Sequence, residues 1–462
     1  MHSTGEAATF ATVSQPPTAP PRQLGIWMTL ALVIGSMIGS GIFLLPANLA
    51  PYGRNAIIGW VVTIAGSLCL ATVFAALARA FPKATGPYDY VQPALGSPTA
   101  FFVMWSYWIS TWVTNAAISI AAVSYLSTLA PDAFARTGVA PLAAIGFVIL
   151  FASVAISGAR TTGKVQIVTS VLKVMPLLAA IIIAMLVLAR HGPIADAGAA
   201  PVTLNGVAGA AALTLWAMLG FECATIPARR VVNPERNIPR ATILGTLIAG
   251  LIYLAASSAV FLLLPASVAA SSSAPFADLV GQYWGAAAGT AVVVFAVISC
   301  LGALNGWVFL VGDIPLGLAE RGVFPRWFGK LNGHGMPVRA QLLGTVLSIS
   351  LIGANFTRGL TELFGFMALL ATVATLVLYL VAGISALRLT GSGKLPRGML
   401  TLVTLAGTLY ALWTLYGAGL EATGWGLVLL ATGIPVYFLM RWRADSSRAA
   451  ATGPAVPPGS SA

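Results

Sequence analysis

Apolar stretches long enough to cross a bilayer as an α-helix recur twelve times along the chain, joined by short polar links. Their approximate limits are 24–49, 55–80, 98–127, 140–157, 164–189, 205–228, 241–264, 285–312, 339–356, 361–387, 397–416 and 424–441. Lipid offers no hydrogen-bond partners, so each stretch satisfies its backbone best as a helix. The pattern predicts an all-α polytopic membrane protein with twelve transmembrane helices. No link is long enough for a separate soluble unit, which leaves residues 23–443 as one domain. Residues 1–22 and 444–462, rich in Thr, Pro, Ala, Gly and Ser, are predicted to be disordered tails. The first tail has no apolar core of the kind a signal peptide needs.

Composition agrees. The 462 residues are 58% hydrophobic and 8% charged, with a mean hydropathy of +0.90, which excludes a soluble globular protein. A net charge of +12 would point to nucleic acid in a soluble chain. Here nineteen of the 24 Lys and Arg residues fall on one alternate set of links and tails, and only Arg54, Arg136, Arg190 and Arg358 fall on the other. By the positive-inside rule both termini are cytoplasmic, as an even number of spans requires. The remaining basic residue, Lys173, lies inside the fifth stretch. Cys69, Cys223 and Cys300 all lie in apolar stretches at unrelated spacing, so they read as small core residues rather than a disulfide or a metal site.

Two stretches are poorly built as continuous helices. Gly35–Phe43 reads GSMIGSGIF, three glycines and two serines in nine residues, in the middle of the first stretch. Gly35 and Gly39 also make a GxxxG pair, so close helix packing is the plainer reading. The sixth stretch has a matching defect, Gly220-Phe221-Glu222-Cys223-Ala224-Thr225-Ile226-Pro227. Two interrupted helices five spans apart point to inverted repeats with a binding site between the breaks, although the halves show no direct sequence similarity. Amides freed at Ser40, Gly41 and Ile42 suit a carboxylate, and carbonyls freed near Met37 suit an ammonium group. A site with both fits an α-amino acid. Trp216 and Trp307, at depth in the sixth and eighth stretches, are candidate binding or gating aromatics, against the commoner role of tryptophan as an interfacial anchor. Glu222 is the one acid well inside an apolar stretch, Asp313 falling at the end of the eighth. Lys173 and Glu222 at such depth face a cavity or a partner, or else form buried pairs or snorkel.

The segments GSMIGSGIFLLPANLA, LTLWAMLGFECATIPARRVVNPERNIPRAT and LGALNGW resemble the amino acid–polyamine–organocation (APC) superfamily. The likeness spans nearly all of residues 24–443 and is strongest to the group of the bacterial arginine/agmatine antiporter and the basic amino acid/polyamine antiporters. It implies two inverted five-helix repeats, broken helices 1 and 6, two extra C-terminal helices and often a homodimer. By the same resemblance, Ser40 and Gly41 hold the substrate carboxylate, with Ile42 beside them. The carbonyls of Met37, Trp216 and Leu219 take the α-amino group. Trp216 and Trp307 stack on or gate the substrate. Asn115 sits at the side-chain end, with Ser110 and Thr111 lining the same pocket. Glu222 matches the pH-sensing or proton-coupling position, and Lys173 the lysine that stands where sodium-coupled relatives bind Na⁺, which implies sodium independence. The chain departs from the arginine/agmatine pattern at Ala371, Ser110, Thr111 and Met37, so its guanidinium site is altered.

An enzyme would need a nucleophile with a base, or a metal cluster. His2, His191 and His334 all lie outside the spans and no acidic pair occurs at helical spacing, so neither catalysis nor a cofactor is expected. Filter loops or charged rings of a channel are not visible either. The expected function is exchange of a cationic amino acid for its amine, with the bilayer, protons and a small amino acid or amine as partners and no nucleic acid. The alternative is proton-coupled, sodium-independent uptake of neutral amino acids, since no acid lies at the side-chain end of the pocket.

Overall fold

The computed structural model describes residues 25–39, 41–81, 84, 86–158, 172–191, 201–222, 231–355 and 357–451. In chain order its main helices are α1 (Ile26–Met37), α2 (Leu45–Leu49), α3 (Arg54–Ala80), α4 (Tyr88–Leu95), α5 (Ser97–Ser127), α6 (Val139–Ile156), α7 (Met175–His191) and α8 (Leu204–Met218). They continue with α9 (Pro234–Leu263), α10 (Pro275–Trp284), α11 (Ala286–Glu320), α12 (Val338–Ala354), α13 (Leu360–Gly391), α14 (Met399–Gly417), α15 (Gly419–Ala431) and α16 (Gly433–Ala451). Among the described residues, eight helices are long and apolar enough to cross a membrane, the last formed by α15 running into α16. The shorter apolar helices α1, α7, α8 and α12 fall where the remaining stretches were expected. The links are less plain than the sequence indicated: α4, α10 and the short helix Ala266–Ser271 lie in them.

Position decides which helices carry polar side chains. α5 has the lowest mean hydropathy of the eight long helices, 1.3, and is 94% buried along its apolar window. It packs against α11, α13, α6 and α12, so its neighbours are protein rather than lipid. A helix so placed can hold Ser106, Tyr107, Ser110, Thr111, Thr114 and Asn115, all buried, where a lipid-facing helix could not. Around it, α3 packs against α9, α8 and α14, and α1 packs against α9.

A buried polar knot joins three of these helices. The Thr63 and Thr214 hydroxyls lie 2.7 Å apart, Thr63 also donates to the Ala211 carbonyl, and Tyr410 donates to the Thr63 oxygen at 3.2 Å. α3, α8 and α14 are thereby tied at a depth where no water competes.

Three expectations are corrected. The eighth span does not stop near 312: its helix runs on to Glu320, so Asp313 lies within the helix and not at its end. The final helix continues to Ala451, past the domain boundary placed at 443. The half-helix that the freed amides of the first stretch would begin starts only at Leu45, residues 41–44 forming turns. The expected tail 1–22, and the part of the C-terminal tail from 452 onward, lie outside the described residues.

Thr63→Val removes the hydroxyl shared by three helices and is expected to cost about 0.5–2 kcal/mol. It should lower the melting temperature of the detergent-solubilised protein. Ser153→Ala, which removes an exposed hydroxyl bonded only to its own helix, should leave the melting temperature within error.

Candidate functional site

Two helices end where interruptions were expected, and their ends touch. α1 ends at Met37, where Ile38 turns extended (φ −69°, ψ 108°), and residues 41–44 form turns before α2 begins. α8 ends at Met218, where Leu219 turns extended (φ −61°, ψ 143°). Gly220 then takes φ +114°, a conformation L side chains rarely adopt, and Phe221 and Glu222 begin a tighter turn. The Ser36 hydroxyl bridges the breaks, donating to the Val33 and Gly220 carbonyls at 2.8 and 3.1 Å. The glycines of the first break are needed for closeness. A Cβ on Gly39 would meet Ala303 at 2.7 Å, and one on Gly41 would meet the Ala217 backbone at 2.9 Å.

Broken helices leave carbonyls without their i+4 amides, and each needs a donor. Lys173, 1% exposed, donates its Nζ to the Gly35 carbonyl at 3.2 Å in the last turn of α1. Tyr125 of α5 donates to the Phe43 carbonyl at 2.9 Å. Phe43 is itself held edge-on by the rings of Tyr125 and Phe276.

Glu222, 4% exposed, accepts from three donors. Tyr107 of α5 reaches Oε1 at 3.2 Å, and Tyr379 of α13 and the Gly220 amide reach Oε2 at 2.8 and 3.1 Å. Tyr379 stacks on Phe221 at 5.2 Å, and Phe74 of α3 packs edge-on against both rings. The carboxylate thus ties the second break to α5 and α13, and an aromatic cluster holds the tie in place.

Between the breaks lies a narrow cavity. Ser36, Met37, Gly39 and Gly41 line it from the first break, Trp216 and Leu219 from the second, Thr114 and Ile118 from α5, and Ala303 and Trp307 from α11. Of the expected binding residues, the structure brings Met37, Gly41, Trp216, Leu219 and Trp307 together on this lining. Ile42, Ser110, Thr111 and Asn115 are buried nearby but do not line it, and Ser40 lies outside the described residues. Cys223 to Pro227 of the second break also lie outside them. Sequence reasoning missed Thr114, Ile118, Tyr107 and Tyr379. The helical period held a signal, because Tyr107, Thr111, Thr114 and Ile118 follow i, i+4, i+7, i+11 along one face of α5. No His, Cys, Asp or Glu group among the described residues is arranged to hold a metal ion.

A family model described as amino acid permease matches residues 24–439. The cadaverine/lysine antiporter of Escherichia coli (strain K12) is 33% identical over 383 residues, covering 80% of this chain and 84% of that protein. The putrescine transporter PotE of the same strain is 28% identical over 435 residues, covering 91% and 97%. A putative arginine/ornithine antiporter of Bacillus subtilis (strain 168) is 30% identical over 404 residues, covering 81% and 86%.

Gly220→Ala places a Cβ 3.1 Å from the Ser36 carbonyl oxygen in a left-handed conformation. It should destabilise the solubilised protein by about 1–3 kcal/mol, read as a lower melting temperature. Gly424→Ala, whose Cβ would meet nothing within 4 Å, is the matched control.

Proposed function

Because the chain belongs to the amino acid permease family, within the APC superfamily and alongside its basic amino acid/polyamine antiporters, we propose that it exchanges a cationic amino acid for an amine across the bacterial inner membrane. It is a transporter and not an enzyme. The observation that carries the proposal is the cavity where the two breaks meet, walled by α5 and α11. Peptide dipoles there supply charge complementarity for a zwitterion, with no ionised side chain on the lining among the described residues. Met37, Ser40, Gly41 and Ile42 of the first break and the Trp216 and Leu219 carbonyls hold the α-carboxylate and α-amino group. Trp307 offers an aromatic face to the side chain.

The transport domain has twelve spans in two inverted sets of five, followed by two further helices. The packing supports this arrangement. Span 2 against span 6 (α3 with α8) is mirrored by span 7 against span 1 (α9 with α1), and spans 2 with 7 and 3 with 8 pair with their own counterparts. Both termini are cytoplasmic, and a homodimer is the assembly that the family resemblance supports.

Glu222 couples this movement to protons. While its carboxyl group accepts from Tyr107 and Tyr379, the second break is fixed to α5 and α13. A change in its protonation alters that hydrogen bonding and frees the break to move, which links substrate passage to pH. Lys173 does the corresponding work at the first break and occupies the place where a sodium ion would otherwise bind. A second reading, proton-coupled uptake of neutral amino acids, draws on the absence of a carboxylate from the cavity lining among the described residues.

Counterflow in proteoliposomes tests the proposal. Unlabelled internal lysine, ornithine, arginine or their decarboxylated amines should accelerate entry of labelled cationic amino acid, with no requirement for sodium. Acceleration by neutral amino acids alone would favour the second reading. Glu222→Gln should keep exchange while flattening its dependence on pH; a pH profile like that of the unaltered protein would remove Glu222 from the coupling step.

A further inference from the structure

α5 presents three hydroxyls and an amide to the interior at the level of the breaks, and they are not equivalent. Ser110 donates to the Tyr107 carbonyl at 2.7 Å and Thr111 to the Trp108 carbonyl at 2.6 Å, both within their own helix. Neither lines the cavity. Asn115 has an unpartnered Oδ1 but is also off the lining. Thr114 alone is 2% exposed, has a hydroxyl without a hydrogen-bond partner among the described residues, and lies on the lining. Burial of a hydroxyl with nothing to bond is a penalty that a bound ligand relieves.

The chemistry of the rest of the lining narrows what that ligand group is. Its other side chains with nitrogen or oxygen atoms are Ser36, Trp216 and Trp307. The indole N–H groups of Trp216 and Trp307 can only donate, and the Ser36 hydroxyl is already engaged with Val33 and Gly220. The lone pairs of the Thr114 hydroxyl are used by no donor among the described residues, which leaves its oxygen as an acceptor facing the cavity. A primary ammonium is a compact donor that one such acceptor and an aromatic face suit. A guanidinium is a rigid fork of five N–H donors, and most of them would go unpaired here.

Resting on the cationic-exchange reading above, we propose that Thr114 is the specificity-determining residue for the substrate side chain. Its hydroxyl accepts a hydrogen bond from the terminal ammonium of an α-amino acid of the lysine or ornithine type, and so favours such side chains over guanidinium-bearing and uncharged ones. The Trp307 ring on the same lining adds a cation–π face.

Competition binding on the purified full-length transporter tests this with lysine, arginine and norleucine, which keeps the lysine chain but lacks its terminal amine. The unaltered protein should bind lysine more tightly than either competitor. Thr114→Val, close in shape but without the hydroxyl, should shrink the lysine-over-norleucine preference about tenfold, or about 1.4 kcal/mol. Thr114→Ser should retain it. Should Val prove unstable in a ligand-free melt, the same ratio is read from Thr114→Ala against Thr114→Ser. Discrimination by the unaltered protein that persists in Thr114→Val overturns the role of Thr114 and leaves cationic exchange standing. An unaltered protein that binds norleucine as well as lysine overturns both.

Discussion

A peptide group taken into a membrane must find a hydrogen-bond partner within the protein, and this constraint organises the centre of the molecule. Two helices give up their internal bonding at mid-depth, and the cost is borne by side chains brought from elsewhere. Lys173 serves the Gly35 carbonyl, Tyr125 the Phe43 carbonyl and Ser36 the Gly220 carbonyl. Each donor comes from a different span than the carbonyl it serves, so neither break is stable by itself. Each exists because the helices around it are already packed.

That dependence explains the character of α5. A helix that donates to one break through Tyr125 and to the carboxylate of the other through Tyr107 must stand between them. Standing there, it is shielded from lipid along almost its whole length, and its polar side chains meet protein. Its low hydropathy is therefore a consequence of its central position. The helices on the periphery show the converse, with Leu409 and Leu412 of α14 and Leu420 and Leu427 of α15 directed outward and strongly exposed.

Much of this was legible in the order of residues. Apolar length located the helices, since a membrane leaves a long apolar stretch few alternatives. The runs Gly35–Phe43 and Gly220–Pro227 marked where α1 and α8 end, because glycine, serine and proline at such density contradict a helix that must bond to itself. Helix ends were less legible: α11 carries on past 312 through Asp313 to Glu320 because a helix does not stop where its hydropathy falls. The partners of Glu222 were not legible at all. Tyr107 and Tyr379 are 115 and 157 residues away from it in the chain, and nothing local distinguishes them from other buried tyrosines. The face of α5 was half legible. Ser110 and Thr111 were singled out through the family resemblance, while the lining falls to Thr114 and Ile118 further along the helix, and only rotation about the helix axis decides between them.

The placement of the two ionisable groups gives the breaks different mechanical roles. Lys173 bonds to a backbone carbonyl, and a lysine at that point can be exchanged only for another donor of the same reach if Gly35 is to stay satisfied. Glu222 bonds to hydroxyls on α5 and α13 and to the Gly220 amide, so its contacts cross between helices. The first arrangement stabilises a bend within one helix, whereas the second fastens one helix to two others. A conformational switch needs a fastening that can be undone, and it needs bends that survive the undoing. Of the two, the glutamate has the contacts of a latch and the lysine those of a brace.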